Sequence, residues 1–262
     1  MEFDFENANE AWWNTMAGVW RLGERCYPRG QTCYEIPQLT ISIPMNRPVV
    51  TCRTRKLSYG FMAAEAWWIL HGDDRVDGIA PFNKHISQFS DDGKIFFGAY
   101  GPKIVDQLPY VVNTLQSDRD SRQAVISIWR EKPPTTKDVP CTLSMTFMIR
   151  RGCLNEHVFM RSSDVWLGVP YDLFNFAMIG YRVIQLVDPT LEPGRVFLTA
   201  ASSHLYARDT EKIEEVLSAG YGEEDIEPVP DIYCREGIVM MNDLMHLRVP
   251  ATRDRSSWRI RP

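Results

Sequence analysis

Cys141 follows Pro140 at the head of a β-forming run, and twenty residues later the chain carries Arg161, Ser162, Ser163 and Asp164 in succession. That second stretch packs a guanidinium, two hydroxyls and an acid into four positions. LGVPYD (167–172) follows directly, and SSHLY (202–206) adds an imidazole, His204, and a phenol, Tyr206. A cysteine at a strand start is either a nucleophile or a small buried residue, and its type alone does not decide between them. Two carboxylates raise a sharper question. Asp172 lies in the apolar run VPYDLFNF (169–176), and Glu65 lies in SYGFMAAEAWWILHG (58–72). Burying a charge is costly unless something pairs with it. For Asp172 one answer is a helix-start acid, favoured by the helix dipole and the N-terminal amides. For Glu65 one answer is a paired core carboxylate. A bound ligand is the other answer for both.

The elements that must position these groups follow from periodicity. Ala8, Trp12, Met16 and Val19 stand at helical spacing within residues 6–22, and Gly23 ends that helix. Leu39, Ile41 and Ile43 alternate as a strand that stops at Pro44. Residues 58–72 form a mostly apolar helix bearing Glu65, and residues 104–116 form another. Strands are expected over 124–129, 141–149 and 153–161, the last two joined by a hairpin turn at Arg150-Arg151-Gly152. Helix returns over 171–185, strand over 195–206, and a capped amphipathic helix over 209–220, stopped by Gly220. REKPPTTKD (130–138) is a loop. Hairpins and helices mix without a repeating βαβ pattern, so the class is α+β. With no repeat and no linker, residues 1–262 make a single domain.

Composition narrows the function. The 262 residues are 44% hydrophobic and 24% charged, ordinary for a globular chain with a sizeable core. A net charge of −5 argues against duplex nucleic acid as a partner but leaves room for a small phosphorylated ligand held by a few arginines. The six cysteines form no CxxC pair and the histidines number five, so metal-site spacing is missing and no metal is expected. No stretch has the length of a membrane span, and the acidic start MEFDFENANEAWW does not resemble a signal peptide. The reading is a cytoplasmic protein with reduced thiols.

Taken in order, these motifs resemble the thymidylate synthases and their relatives, the pyrimidine-nucleotide hydroxymethylases. The matching run is PCTLSMTFMIRRGCLNEHVFMRSSDVWLGVPYDLFNFAMIGYRVI, with SSHLY beyond it. DSRQAVISIW resembles the family's phosphate-arginine segment, EAWWILHGD its glutamate-bearing helix, AYG (99–101) its tyrosine–glycine turn and PRG (28–30) its N-terminal phosphate loop. The resemblance implies a mixed sheet packed with helices, one sheet face forming a homodimer. It implies that Cys141, as thiolate beside Arg161, adds to C6 of a pyrimidine nucleotide. C5 would then take a one-carbon unit from 5,10-methylenetetrahydrofolate, the co-substrate. Arg29, Arg122, Arg161 and Ser162 would hold the 5′-phosphate, with Arg122 reaching across the dimer. His204 and Tyr206 would bind the sugar. Glu65 would organise water and move protons, and Tyr100 would assist removal of the C5 proton. Asp164, Leu167, Gly168 and Tyr171 fall where the family contacts folate.

The departures from thymidylate synthase point to cytosine. Where those enzymes carry asparagine, this chain has Asp172. An asparagine amide complements both O4 and N3–H of uracil, whereas an ionised carboxylate has no donor. Cytosine offers an amine at that edge. Thr142 in place of histidine and Met160 in place of glutamine agree with a deoxycytidylate hydroxymethylase. Ser87 or Gln88 falls where a folate-shielding tryptophan stands in the family, which would open the methylene intermediate to water and give 5-hydroxymethyl-dCMP. Gln123 replaces a second phosphate arginine, and the ending SSWRIRP lacks the apolar terminus that closes over folate. The rivals are a CMP hydroxymethylase, as in nucleoside-antibiotic pathways, with Ser162 near the ribose 2′-hydroxyl; a dCMP methylase; and a thymidylate synthase. A nucleotide-binding relative without turnover ranks last, given the intact Cys141, Glu65, Arg161 and His204.

Overall fold

A computed structural model describes residues 2–220 together with residues 229, 240 and 243. The chain opens with strand β1 (Glu2–Asp4) and helix α1 (Ala8–Leu22). The helix starts two residues later than periodicity alone suggests, because Asn7 caps it, its side-chain oxygen accepting from Glu10 N at 3.0 Å. Gly23 does end α1, but with φ −66 rather than a left-handed turn. Its glycine is a matter of space: a Cβ there would lie 2.4 Å from the Val19 carbonyl oxygen. Strands β2 (Glu24–Cys26) and β3 (Cys33–Pro44) form a hairpin around the Pro28–Gly30 turn. Strand β3 therefore starts well before the Leu39 alternation, since pairing with its neighbours extends it.

Helix α2 (Tyr59–Leu70) is capped by Ser58, and α3 (Val76–Ile79) is a single short turn. Helix α4 (Gly101–Ser117) starts just after Tyr100 and runs through Pro109. Strand β4 (Val125–Ser127) is short; β5 (Thr142–Arg150) and β6 (Cys153–Met160) form the expected hairpin. Its turn residues Arg151 and Gly152 have φ 53 and 78, the doubly positive pair a two-residue hairpin turn requires. Strand β7 (Ser163–Asp164), helix α5 (Val169–Val187), strand β8 (Glu192–Tyr206) and helix α6 (Thr210–Ala219) complete the described chain.

The strands make one mixed sheet in the order β1-β3-β8-β6-β5-β4, with β2 beside β3 and β7 beside β8. β3 and β8 pair antiparallel, whereas β6 and β8 pair parallel. This is the α+β architecture expected. Helix α5 crosses the sheet and packs on α2, α4, β6 and β8, and most of its residues are buried. Trp12, Met16, Ile41, Phe147, Phe174 and Phe176 fill the core between helices and sheet. On the opposite sheet face, His157 stacks on Phe197 with ring centroids 4.5 Å apart, and Phe159 is 42% exposed. Among the described residues no helix is long and apolar enough to cross a membrane.

One core residue breaks the apolar pattern. Glu156 on β6 is fully buried, and neither carboxyl oxygen has a hydrogen-bond partner at full geometry among the described residues. Gly180 on α5 makes room for it; a Cβ there would lie 3.0 Å from Glu156 Oε2 and 2.5 Å from Met45 Cε. Burial pushes the Glu156 carboxyl well above the carboxylate range, and the Gly180 amide offsets only part of that. Because the folded-state pKa is raised, the protonated core is favoured at low pH. Stability is lost as pH rises above the unfolded-state pKa and through the folded one. Glu156→Gln is therefore expected to stabilise the fold by about 1–3 kcal/mol at pH 8 and by much less at pH 5. Urea denaturation of both proteins at the two pH values checks this; equal gains at both would refute it.

Candidate active site

The β5–β6 hairpin assembles the thiol site. Thr142 pairs with Met160, so the next residue out, Arg161, returns beside Cys141 and donates its backbone N–H to the Cys141 carbonyl at 2.8 Å. The Arg161 guanidinium is fixed by the Pro140 carbonyl at 3.0 Å and the Val139 carbonyl at 2.9 Å. It also donates to Ser162 Oγ at 3.1 Å, and its Nη2 lies 3.8 Å from Cys141 Sγ. Ser162 Oγ donates to the same sulfur at 3.6 Å. Two donors thus converge on one half-buried thiol, which accounts for the spacing between Cys141 and the RSSD motif.

The sequence alone suggested a thiol lowered by Arg161. Arg161 is indeed the strongest lowering influence, followed by Ser162, but burial outweighs both and pushes the Cys141 thiol up; Asp172 and Asp164 add to the rise. Arg161→Met should raise it further. Alkylation of Cys141 by iodoacetamide should then slow about tenfold at pH 8, with its pH midpoint displaced upward. An unchanged midpoint would mean that the guanidinium does not act on the sulfur.

Helix α5 brings the acid. Asp172 lies in its first turn, yet no hydrogen-bond donor among the described residues reaches its carboxyl; its own N–H bonds the Gly168 carbonyl at 2.9 Å. Asp164 Oδ1 accepts from the amides of Trp166 and Leu167, both at 2.9 Å, in the turn that precedes the helix, and no side chain caps α5 itself. Asp172 therefore has the place of a helix-start acid but makes no capping hydrogen bond. Gly168 gives Asp172 its space, since a Cβ there would lie 2.9 Å from Asp172 Oδ2. Burial, then the charge of Asp164, pushes the Asp172 carboxyl up to about 7.

Glu65, on α2, lies close enough to Asp172 for the two carboxyls to interact. Its Oε2 accepts from Asn175 Nδ2 at 2.8 Å. Burial pushes its carboxyl up to about 7, with Asn175 lowering it and Asp172 raising it. Tyr100 accepts the Thr142 N–H at 3.2 Å on its hydroxyl oxygen. Burial drives that phenol far above its usual range and keeps its proton in place.

The remaining expected residues divide. His204 and Tyr206 alternate on β8 with rings perpendicular and centroids 5.2 Å apart, and Arg29 Nη2 donates to Tyr206 Oη at 3.3 Å. His204 pairs in register with Asp164. Tyr171 accepts from the Ser58 amide at 3.1 Å and packs edge-on against Phe61, while Leu167 is 47% exposed. Arg122 stands exposed between α4 and β4, and no described contact joins it to the Cys141 group; neighbouring Gln123 donates its N–H to Ser121 Oγ at 3.2 Å. Ser87 and Gln88 lie in the Ile86–Phe89 turn, Ser87 bonding the Lys84 carbonyl at 3.0 Å. The ending SSWRIRP, with Cys234 and His246, lies outside the described residues.

Two groups escaped the sequence reading. Asn175 could have been found, being polar and three residues beyond Asp172 on one helix face. Arg55, which stacks over Trp166 at 4.3 Å and donates to its carbonyl at 2.9 Å, had no sequence signal. Thr142, already singled out where the family carries histidine, buries its Oγ1 without a partner among the described residues.

The structure thus brings together a thiol with a guanidinium and a hydroxyl aimed at its sulfur and, within electrostatic reach, the Asp172 carboxyl, which in turn acts on Glu65. The family model for thymidylate synthase matches residues 11–233, and the chain belongs to the thymidylate synthase family. Among curated proteins it is similar to the deoxyuridylate hydroxymethyltransferase of Bacillus phage SP01, 30% identical over 243 residues. That match covers 84% of this chain and 63% of the phage protein, so the chain spans a little under two thirds of that relative's length.

Proposed function

We propose that this chain is a pyrimidine-nucleotide hydroxymethyltransferase whose preferred substrate is dCMP. The observation that carries the reading is Asp172: an acid with no described donor on its carboxyl, at the family's base-reading position, within electrostatic reach of Cys141. Cys141 adds through sulfur to C6, and the electron pair moves to C5. Arg161 and Ser162, already aimed at the sulfur, favour its thiolate and bind the 5′-phosphate. Asp172 accepts from the exocyclic amine and supports protonation at N3, which the enamine requires. Tyr100 holds the Thr142 amide beside the nucleophile and directs a hydrogen bond at the water that takes the C5 proton. His204 and Tyr206 bind the sugar, with Arg29 adding positive charge at Tyr206.

Methylenetetrahydrofolate, when bound, supplies the one-carbon unit that C5 attacks. The cleft edge suits its flat rings: Leu167 is an exposed apolar side chain near Tyr171, with Asp164 and Gly168 in the same loop. Loss of the C5 proton and departure of tetrahydrofolate would leave an exocyclic methylene, to which Glu65, poised near neutrality, would deliver water; β-elimination of the Cys141 sulfur would then restore the thiol and leave 5-hydroxymethyl-dCMP. Arg122 completes the phosphate site from the second subunit of a homodimer formed through the sheet face bearing Phe159, in a cytoplasmic setting.

The runner-up substrate is dUMP. A neutral Asp172 presents a donor and an acceptor, as an amide does, and its pKa of about 7 makes that form accessible. The phage relative's name also says deoxyuridylate. Mass spectrometry of products from an equal mixture of dCMP, CMP and dUMP with methylenetetrahydrofolate separates the cases. A gain of about 30 Da (one CH₂O) on dCMP is expected, since the mispaired base is discriminated by several kcal/mol. The same gain on CMP moves the preference to ribose. A gain of about 14 Da on dUMP makes the chain a thymidylate synthase, with Asp172 not reading cytosine; on dCMP it makes a methylase.

A further inference from the structure

Asn175 is the least expected polar residue of α5. It is 5% exposed, among Phe174, Phe176 and Ala177, which are fully buried. An asparagine there must justify the loss of two donors and an acceptor from water. Nδ2 does so by donating to Glu65 Oε2 at 2.8 Å, across the α2–α5 contact. Oδ1 does not: it is buried with no partner among the described residues. A carboxyl tied through one oxygen to an amide whose own oxygen is unsatisfied is arranged to hold water.

We propose that Asn175 is a positioning residue for Glu65, its amide fixing the carboxyl's orientation and proton affinity while its own Oδ1 accepts from the water that Glu65 handles. The role of that water rests on the proposed hydroxymethyl transfer; the link between Asn175 and Glu65 does not. The groups facing Glu65 are Asn175 and Asp172 on α5, and both act on its ionisation, in opposite directions. Asn175 stabilises the charged form. Removing the donor therefore raises the pH at which Glu65 gives up its proton.

Two variants keep the shape of the site. Asn175→Leu removes both polar ends. Asn175→Asp retains the outline but sets a third carboxyl against Glu65. The direct readout is carboxyl titration by infrared difference spectroscopy, with Glu65→Gln assigning the band. In Asn175→Leu the Glu65 band should titrate at higher pH. kcat should fall about tenfold or more while KM for the nucleotide stays within about threefold, as a lost charge-assisted hydrogen bond predicts. Asn175→Asp should be weaker still at pH 8 and recover at pH 6, where the introduced carboxyl, once protonated, can donate as the amide does. A Glu65 band that does not move in Asn175→Leu overturns the proposal, whatever the activity. So does a loss in Asn175→Asp that lower pH fails to restore. If the unaltered enzyme turns over no pyrimidine nucleotide, the hydroxymethyl reading fails, while the infrared titration still decides the Asn175–Glu65 link.

Discussion

Asp172→Asn is expected to reverse the base preference. kcat/KM for dCMP should fall by about 10²–10⁴, because a buried amide meets the cytosine edge with a mismatched donor or acceptor, while dUMP turnover should rise. The unaltered protein adds a pH test. Its Asp172 carboxyl titrates near 7, raised by burial and by Asp164. Only the neutral acid can donate to O4 of uracil, so any dUMP turnover should decline about tenfold per pH unit above 7. The ionised form still accepts from the cytosine amine though it no longer serves N3, so dCMP turnover should decline less steeply. Competition assays at pH 6, 7 and 8 measure both curves. Parallel curves for the two bases, or an Asp172→Asn variant that still prefers dCMP, would place base selection elsewhere in the cleft.

Cys141→Ser is expected to abolish turnover, with a loss of about 10⁴ or more, since a serine hydroxyl beside Arg161 stays protonated and is a poor nucleophile toward C6. Release of tritium from C5-labelled dCMP should vanish with it, because exchange at C5 depends on addition at C6. A nucleotide bearing fluorine at C5 cannot lose a proton there. It should leave a covalent adduct on the unaltered protein, visible as one added nucleotide in the intact mass, and none on Cys141→Ser. Cys153, at the turn end of the same β5–β6 hairpin, is the control: Cys153→Ser should keep the adduct. An adduct that survives in Cys141→Ser would show that another group is the nucleophile.

How far the sequence reaches is clearest in these same residues. Cys141, the RSSD stretch and SSHLY were legible as a group because their order and spacing carry the family resemblance. The β5–β6 register then accounts for that spacing, since a hairpin of that length returns Arg161 to the sulfur. The helices around Trp12 and Glu65 were legible from the 3.6-residue period, and the 150–152 turn from its glycine. The early start of β3 was not, because Cys33–Pro37 is strand by virtue of its partners on β2 and β8 rather than by alternation. Arg122 was legible as a phosphate ligand only through the resemblance, and within one subunit it stands apart from the thiol.

The amino-acid order by itself determined which groups are available: one thiol in the right neighbourhood, an acid where related enzymes carry an amide, and the periodic apolar faces that make an α+β core. The tertiary structure decided what state those groups are in. Ionisation depends on what surrounds a side chain in three dimensions, and no local pattern encodes that. Packing α5 against α2 half-buries Glu65 and Asp172, and both carboxyls are pushed up to about 7. It sets Asn175 on Glu65, and it leaves Asp172, unlike the amide-bound Asp164, with no hydrogen-bond donor on its carboxyl among the described residues. The same burial keeps the Cys141 thiol high despite the Arg161 charge that the sequence placed beside it.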